Sequence, residues 1–169
     1  VPVINLETIT HPCQELAHIM ALQERLGVPA DLGTTESRST ALRGKKYLLT
    51  WTYHPRGLNT AVANSGLQIA TKFGMDVTLL CPEPAYILDD RYIQAARANV
   101  ADSGGTFTIS HDIESAYQGA DVVYCKSWGA LPFFGRWDAE KPMREKYRHF
   151  MVDETKMARS MWGMSRTMI

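Results

Sequence analysis

Short apolar runs alternate with longer amphipathic segments along the chain. Four of the runs are rich in β-branched and aromatic residues, and most of their positions do not alternate between apolar and polar side chains. This pattern is typical of strands that are buried on both faces of a sheet. The sequence therefore predicts four strands, at Lys46–Trp51, Asp76–Cys81, Thr106–Ser110 and Asp121–Cys125.

The segments between these runs carry apolar side chains at helical spacing. Four helices are predicted, at Gln14–Leu26, Asn59–Phe73, Asp90–Ser103 and Asp112–Gln118. Either Ser110 or Asp112 is expected to cap the last of them, since both side chains can accept a hydrogen bond from the first turn. Gly74 and the pair Gly104-Gly105 stand where helix C-caps are expected.

Strands that alternate with helices predict an α/β fold. We expect three layers, in which a mainly parallel sheet has helices on both faces. In such sheets, ligands bind beyond the carboxyl ends of the strands. The loops that follow the first, second and fourth strands, at residues 52–59, 82–86 and 126–132, are therefore the places to look for functional groups.

Charge and hydropathy exclude two classes of partner. The 169 residues, enough for one domain, include 18 Lys+Arg and 18 Asp+Glu, so the formal net charge is zero. A balanced chain has no electrostatic reason to bind nucleic acid or an anionic membrane surface. No apolar run approaches the roughly 20 residues that span a bilayer, and the first nine residues, VPVINLETI, do not read as a signal peptide.

Cysteines and glycines narrow the expected chemistry further. The three cysteines are odd in number and widely spaced, which argues against a disulfide scaffold and favours the reducing cytoplasm. No CxxC or HxxxH spacing suggests a metal site. No GxGxxG follows a strand and no GxSxG is present, so neither a nucleotide cofactor nor a hydrolase triad is supported.

The strand-end loops carry hydrogen-bond donors and cations together with one flat aromatic ring: His54, Arg56, Asn59, Lys126, Ser127 and Trp128. Such a set suits an anionic, planar or zwitterionic small molecule. The helix that begins at Asn59 would also direct free N–H groups towards an anion. Each residue has an ordinary structural explanation too: a proline-restricted turn for His54, a solvated loop position for Lys126, and a core position for Trp128.

A second group of polar residues lies near the start of the chain, in ETITHPCQ at residues 7–14. Thr10 is a plausible N-cap of the first helix, with Pro12 in its first turn. By that interpretation the segment is only a helix start. His11 and Gln14, however, are three residues apart and share a helix face, and Glu7 could point at the same space.

Taken together, these motifs resemble the aspartate/ornithine carbamoyltransferase superfamily, of which His-Pro-x-Gln, here His11–Gln14, is a hallmark. Within it, the closer resemblance is to the N-acetylornithine carbamoyltransferases. The likeness runs from about Val3 to Ala158, and it is carried by Glu7–Ala17, Leu48–Ser65, Asp76–Pro82, Ser110–Tyr117 and Asp121–Gly135. It implies the Rossmann-like second domain of a transcarbamoylase at residues 11–158, preceded by a domain junction at 1–10 and followed by an atypical tail at 159–169.

The resemblance implies a reaction and a role for His11 and Gln14. The carbamoyl group of carbamoyl phosphate would be transferred to the δ-amine of N-acetylornithine, a step of arginine biosynthesis that needs no cofactor. His11 and Gln14 would hydrogen-bond the carbamoyl group, and polarising its carbonyl favours attack by the amine. The nucleophile belongs to the substrate, so the protein supplies orientation and electrostatics.

The resemblance also places residues around the amino-acid substrate. Glu7, His54 and Asn59 would contact the acylated ornithine, Lys126 would pair with its α-carboxylate, and Trp128 would shape that end of the pocket. A lysine beside a free α-ammonium would repel it, whereas an acylated α-nitrogen is neutral. N-acetylornithine is therefore expected in preference to ornithine, and N-succinylornithine remains an alternative.

Departures from the family pattern suggest that the chain is incomplete. The family has two domains, and its phosphate-binding Ser-x-Arg-Thr element lies in the first of them. The resemblance fails after Ala158, and the long polar segment Gly27–Lys45 has no functional interpretation. We expect the isolated chain to lack turnover, because the phosphate-binding half of the enzyme is absent from it. The full-length parent is expected to be a homotrimer. The alternative is an inactive binding or interaction fragment.

Overall fold

A computed structural model gives the structure of residues 9–26 and 40–161. Within these residues, helices and strands alternate as the sequence predicts. The elements are α1 Pro12–Leu26, β1 Lys46–Trp51, α2 Ala61–Lys72, β2 Asp76–Leu80, α3 Asp90–Ser103, β3 Thr106–Ser110, α4 Ile113–Tyr117, β4 Val122–Lys126, α5 Trp137–Arg144 and α6 Glu154–Met157. Short 3₁₀ segments lie at Pro84–Tyr86, Leu131–Phe133 and Glu145–Phe150.

The four strands form one parallel sheet in the order β3-β2-β1-β4. Leu49 of β1 lies between Leu79 of β2 and Tyr124 of β4. Successive strands are added on one side of β1 up to β3, and β4 then returns to the other side. The carboxyl ends of β1 and β4 therefore border a topological switch point, where α/β sheets form a ligand crevice.

Helices cover both faces of the sheet, which confirms the predicted three-layer α/β fold. On one face, α1 packs on α2 and α2 packs on α3, while α4 and α6 contact each other on the other face. Every residue of β1 after Lys46 is buried, at no more than 1% exposure. This burial explains why the run KYLLTW is apolar apart from Lys46 and Thr50: a central strand covered on both faces has few positions that reach water.

Capping residues set the ends of several helices. Gly104 ends α3 in the left-handed conformation, at φ 83°, and the Asp112 side chain accepts from the backbone N–H groups of Glu114 and Ser115 at the start of α4. The prediction for α1 was wrong by one residue. The helix begins at Pro12, and the first intrahelical bond runs to the carbonyl of His11, so His11 and not Thr10 occupies the N-cap position.

The chain after Phe133 was not assigned from the sequence, yet it forms α5 and the 3₁₀ segment Glu145–Phe150. A proline inside α5, Pro142, disguised the short helix, because proline usually ends one. Glu7, most of the predicted loop 27–45 and residues 162–169 of the tail lie outside the described residues. No helix in the two described ranges is long and apolar enough to cross a membrane.

Candidate functional site

The start of α1 is fixed against the start of α2, at the carboxyl edge of the sheet. The backbone N–H of His11 donates to Ser65 Oγ at 2.7 Å, and Asn64 Nδ2 donates to the carbonyl of Ile9 at 3.3 Å. Asn64 and Ser65 belong to the first turns of α2, and Ile9 and His11 belong to the segment that enters α1. His11 therefore sits at the edge where the strand-order rule places a ligand.

One turn further along α1, Gln14 reaches the fourth strand. Its Nε2 donates to Tyr124 Oη at 3.2 Å, and Tyr124 Oη donates to Glu15 Oε1 at 2.8 Å. Gln14 is exposed, whereas Glu15 is only 1% exposed. The structure thus places Gln14 beside β4 and His11 beside α2, and their roles at a ligand stay predictions.

Burial governs the titration of the groups beneath Gln14. It raises the pKa of the Glu15 carboxyl above its ordinary value of 4.5, an effect that the hydrogen bond from Tyr124 and the nearby His11 oppose. Burial also lowers the pKa of His18 and, with Glu15, raises the pKa of Tyr124. The tyrosine therefore keeps its proton at neutral pH, while ionisation of Glu15 costs stability.

We expect Glu15→Gln to stabilise the protein increasingly as pH rises. Because the folded chain binds the Glu15 proton more tightly than the unfolded chain does, stability falls as pH rises from 4.5 through the higher folded pKa. The variant has no titratable group at this position, so its Tm should fall less between pH 5 and pH 8 than the Tm of the wild type. Glu24→Gln, at an exposed position of α1, is the matched control. A Tm difference from wild type that does not grow with pH would contradict the prediction.

The loop after β1 holds two of the predicted site residues in defined positions. His54 Nδ1 lies 3.1 Å from both the backbone nitrogen and the carbonyl oxygen of Arg56, which closes a tight turn around Pro55. Asn59 Oδ1 accepts from the backbone N–H of Ala61 at 2.8 Å and so caps the first turn of α2. The turn interpretation of His54 holds, and it leaves Nε2 of the ring and Nδ2 of Asn59 for a ligand.

The loop after β4 holds the other two predicted residues. Lys126 is the last residue of β4, and its carbonyl accepts from the N–H of Thr52, which joins this loop to the one after β1. Side chains alternate along a strand, so Lys126 lies on the same face as Tyr124, the face of α1 and α2. Trp128 is fully buried, and its Nε1 donates to the carbonyl of Tyr86 at 2.8 Å. The Trp128 indole can shape the pocket only from behind the loop.

A buried arginine that the sequence did not single out ties these two loops together. Arg144 Nη2 bonds Glu140 Oε1 at 2.6 Å and the carbonyl of Trp128 at 2.7 Å. Its Nη1 bonds the carbonyl of His54 and Ser127 Oγ, each at 3.2 Å. Both members of the Arg144–Glu140 ion pair are at most 1% exposed. One guanidinium on α5 therefore holds the backbone of both loops at the switch point.

Trp137, at the start of α5, packs between glycines of the same two loops. A Cβ on Gly57 would lie 2.6 Å from Trp137 Cε3, and a Cβ on Gly129 would lie closer still to Cζ3. The N–H of Gly129 also donates to the carbonyl of Leu58 at 2.8 Å. Only glycine fits at either position.

The sequence signal for the buried Arg144–Glu140 ion pair was the i,i+4 spacing of the two residues, which alone indicates no more than a surface pair.

The arrangement collects amide, imidazole and ammonium groups at one edge of the sheet, which suits recognition of a polar, anionic small molecule. His11 and Gln14 come from α1, His54 and Asn59 from the loop after β1, and Lys126 from β4. Glu7, the remaining predicted site residue, lies outside the described residues. Residues 9–26 and 40–161 contain no group of His, Cys, Asp and Glu side chains that could hold a metal ion.

The family follows from a comparison with known domains. The model of the Asp/Orn binding domain of aspartate/ornithine carbamoyltransferases matches residues 50–163 of the chain. The chain belongs to the aspartate/ornithine carbamoyltransferase family. The matched range begins at the end of β1 and contains both loops of the switch point.

Individual relatives share much of this sequence. N-acetylornithine carbamoyltransferase of Xylella fastidiosa (strain Temecula1) is 70% identical over 158 residues, which are 94% of this chain and 44% of that protein. The corresponding protein of Xanthomonas campestris pv. campestris is 68% identical over 158 residues. The anabolic ornithine carbamoyltransferase of Pyrococcus furiosus is 33% identical over 155 residues, 91% of this chain and 42% of that protein. The chain spans less than half the length of these relatives.

Solved structures of transcarbamylases resemble this chain in both fold and sequence. An acetylornithine transcarbamylase complexed with acetylcitrulline superposes with a TM-score of 0.86 at 67% identity, over 95% of this chain and 45% of that one. A mutant N-acetyl-L-ornithine transcarbamylase complexed with carbamyl phosphate and N-succinyl-L-norvaline superposes with a TM-score of 0.85 at 68% identity. Both solved structures therefore share the fold of this chain at high sequence identity.

Proposed function

We propose that this chain supplies the acylornithine-binding half of an N-acetylornithine carbamoyltransferase. The whole enzyme would transfer the carbamoyl group of carbamoyl phosphate to the δ-amine of N-acetylornithine, giving N-acetylcitrulline and phosphate. The observation that carries the proposal is the attachment of the His11–Gln14 segment to α2 and to β4, the helix and the strand that border the switch point. The 70% identity to the Xylella fastidiosa enzyme supports the acetylated substrate.

At the carbamoyl end, the protein orients the donor and stabilises charge. The δ-amine attacks the carbamoyl carbon, forming the new C–N bond, and the C–O bond to phosphate breaks as phosphate leaves with the amine proton. Negative charge builds on the carbonyl oxygen in the tetrahedral transition state, where a donor from His11 stabilises it. Gln14, on the same helix face, holds the rest of the carbamoyl group in line.

At the amino-acid end, the proposed contacts follow the charges of the loops. Lys126 pairs with the α-carboxylate, and His54 and Asn59 present their remaining side-chain nitrogens to the acylated ornithine. An acylated α-nitrogen is neutral, so it avoids repulsion by Lys126 that a free ammonium would meet. Trp128 supports the loop from the core, and Glu7 is proposed to contact the same substrate. N-succinylornithine and ornithine are the alternative substrates.

The proposal extends to the full-length protein in two respects. We propose that the parent enzyme is a homotrimer of the cytoplasm, in which neighbouring subunits share active sites. Sedimentation equilibrium of the full-length protein should give three times the mass of one chain. A monomeric parent that turns over N-acetylornithine at full rate would overturn the shared-site arrangement.

A thermal-shift titration of the 169-residue chain tests recognition. N-acetylornithine at one hundred times its Kd should stabilise the fold by about 2.7 kcal/mol, and ornithine should stabilise it far less. Lys126→Met should abolish the shift, while Lys146→Met, at an exposed position, should keep it. A shift that survives Lys126→Met, or one equal for ornithine, would contradict the assignment. No shift with either compound would favour a fragment without retained recognition.

A further inference from the structure

Gln14, Tyr124 and Glu15 form a chain of hydrogen bonds that the proposed reaction does not itself require. We propose that Tyr124 and Glu15 are positioning residues, which fix the side-chain amide of Gln14 so that its Oε1 faces the carbamoyl donor. The inference rests on the proposed function for the identity of that donor. The orientation of the amide rests on the structure alone.

Counting protons sets the direction of the chain. A tyrosine hydroxyl has one proton, and Tyr124 donates it to Glu15 Oε1 at 2.8 Å. Because Glu15 Oε1 accepts this single proton, the Tyr124 oxygen has only acceptor capacity left for Gln14. The Gln14 nitrogen Nε2 occupies that place, at 3.2 Å. A reversed amide would set two acceptor oxygens against each other with no proton between them, which costs the hydrogen bond.

Packing keeps the tyrosine in this position. A Cβ on Gly66 of α2 would lie 3.1 Å from Tyr124 Cε1, so the helix passes close to the ring. The imidazole of His18 lies with its centroid 4.7 Å from that of Tyr124. Glu15 is 1% exposed, so the hydroxyl of Tyr124 replaces water as a donor to its carboxylate. The hydroxyl proton is therefore committed to Glu15.

The fixed amide explains how a carbamoyl group could be told from other acyl groups. A carbamoyl group presents an NH₂ donor beside its carbonyl oxygen, whereas an acetyl group presents a methyl group there. Gln14 Oε1 accepts from the NH₂, and the carbonyl oxygen is the proposed partner of His11. A site built to bond an NH group rejects an analogue that lacks it, because a polar atom is then left without its partner. Glu15 and Tyr124 thus act on specificity through Gln14.

The orientation can be measured by NMR on the ¹⁵N-labelled 169-residue chain. Tyr124→Phe removes the acceptor, and Glu15→Met frees the tyrosine proton to reverse the bond. Either variant should move the Gln14 side-chain NH₂ resonances to the position of an exposed glutamine. The side-chain amide of Gln68, which donates to the carbonyl of Tyr92 at 2.8 Å, is the internal control for folding. Gln14 resonances that stay in place while those of Gln68 also stay would overturn the proposal.

A second measurement tests specificity in the same samples. Phosphonoacetamide, a stable carbamoyl analogue, should bind the wild-type chain more tightly than acetonylphosphonate, in which a methyl group replaces NH₂. Tyr124→Phe should reduce this ratio of affinities about tenfold, the value of one hydrogen bond. An unchanged ratio would overturn the positioning role. If neither compound binds the wild-type chain, the Gln14 resonances alone decide the amide orientation, and the thermal shift with N-acetylornithine separately decides the proposed function.

Discussion

Arg144→Met is expected to lower the free energy of unfolding by about 3–5 kcal/mol. The substitution leaves the Glu140 carboxylate buried without its cation, and breaking a buried pair from one side costs that much. It also removes the bonds to the carbonyls of His54 and Trp128, so both switch-point loops lose a common anchor. Urea unfolding followed by circular dichroism measures the change. The same variant should lose the thermal shift with N-acetylornithine.

A surface pair provides the matched control. Arg91 pairs with Asp89 at 3.5 Å, but the side chains are 59% and 50% exposed, so Arg91→Met should cost only about 0–1 kcal/mol. Adding Glu140→Leu to Arg144→Met should recover part of the lost stability, because no charge then remains buried. If Arg144→Met proves no more costly than Arg91→Met, the buried pair does not hold the loops.

Gly129→Ala is expected to destabilise the protein by about 2–3 kcal/mol, the cost of overpacking a well-packed site. The added methyl group would overlap the ring of Trp137, which also packs against Gly57 in the loop after β1. The loop cannot move away easily, since the N–H of Gly129 donates to the carbonyl of Leu58. The measurement is again the free energy of unfolding in urea.

A double-mutant cycle identifies the overlap as the cause. Trp137→Ala removes the ring, so Gly129→Ala in that background should cost less than about 1 kcal/mol. The two substitutions should therefore couple strongly, with the interaction energy favouring the double variant. Additive costs would mean that Gly129 is needed for its backbone conformation instead of for the approach of Trp137.

Together, Arg144 and Trp137 indicate that the ligand edge is held in place before any substrate arrives. The loop after β1 and the loop after β4 are joined by backbone hydrogen bonds and are fastened to the same short helix. Rigid loops lower the entropic cost of binding, because less is ordered when the ligand arrives. The proposed positioning of Gln14 by Tyr124 is the same principle at the carbamoyl end.

Secondary structure could be predicted where local patterns decide it. The four strands were located within one residue because each is a short run rich in β-branched and aromatic residues, and the central strand β1 is continuously buried from Tyr47 to Trp51. The helix α5 was missed because it is only eight residues long and contains Pro142, while Glu140 and Arg144 hold it through contacts with distant loops. The N-cap of α1 was misplaced because both Thr10 and His11 precede a proline that suits the first helical position.

The candidate site, like the secondary structure, was predicted only in part from the sequence. The strand-end rule and the family likeness pointed to His11, Gln14, His54, Asn59 and Lys126, and the structure places all of them at the carboxyl edge, where their roles stay predictions. The sequence could not place the Trp128 indole, because whether a tryptophan faces a ligand or the core depends on what packs around it. Its burial against the loop of Tyr86 answers that question.

The sequence by itself determined the alternation of strands and helices, the parallel sheet and the loops that carry functional groups, since these follow from local periodicity and from motif residues. Only the tertiary structure decided how the groups are held. Tyr124 lies 110 residues from Gln14 and 109 from Glu15, and Arg144 lies 90 residues from His54. No local pattern encodes such pairings, because the partners meet only after the sheet has brought distant segments to one edge.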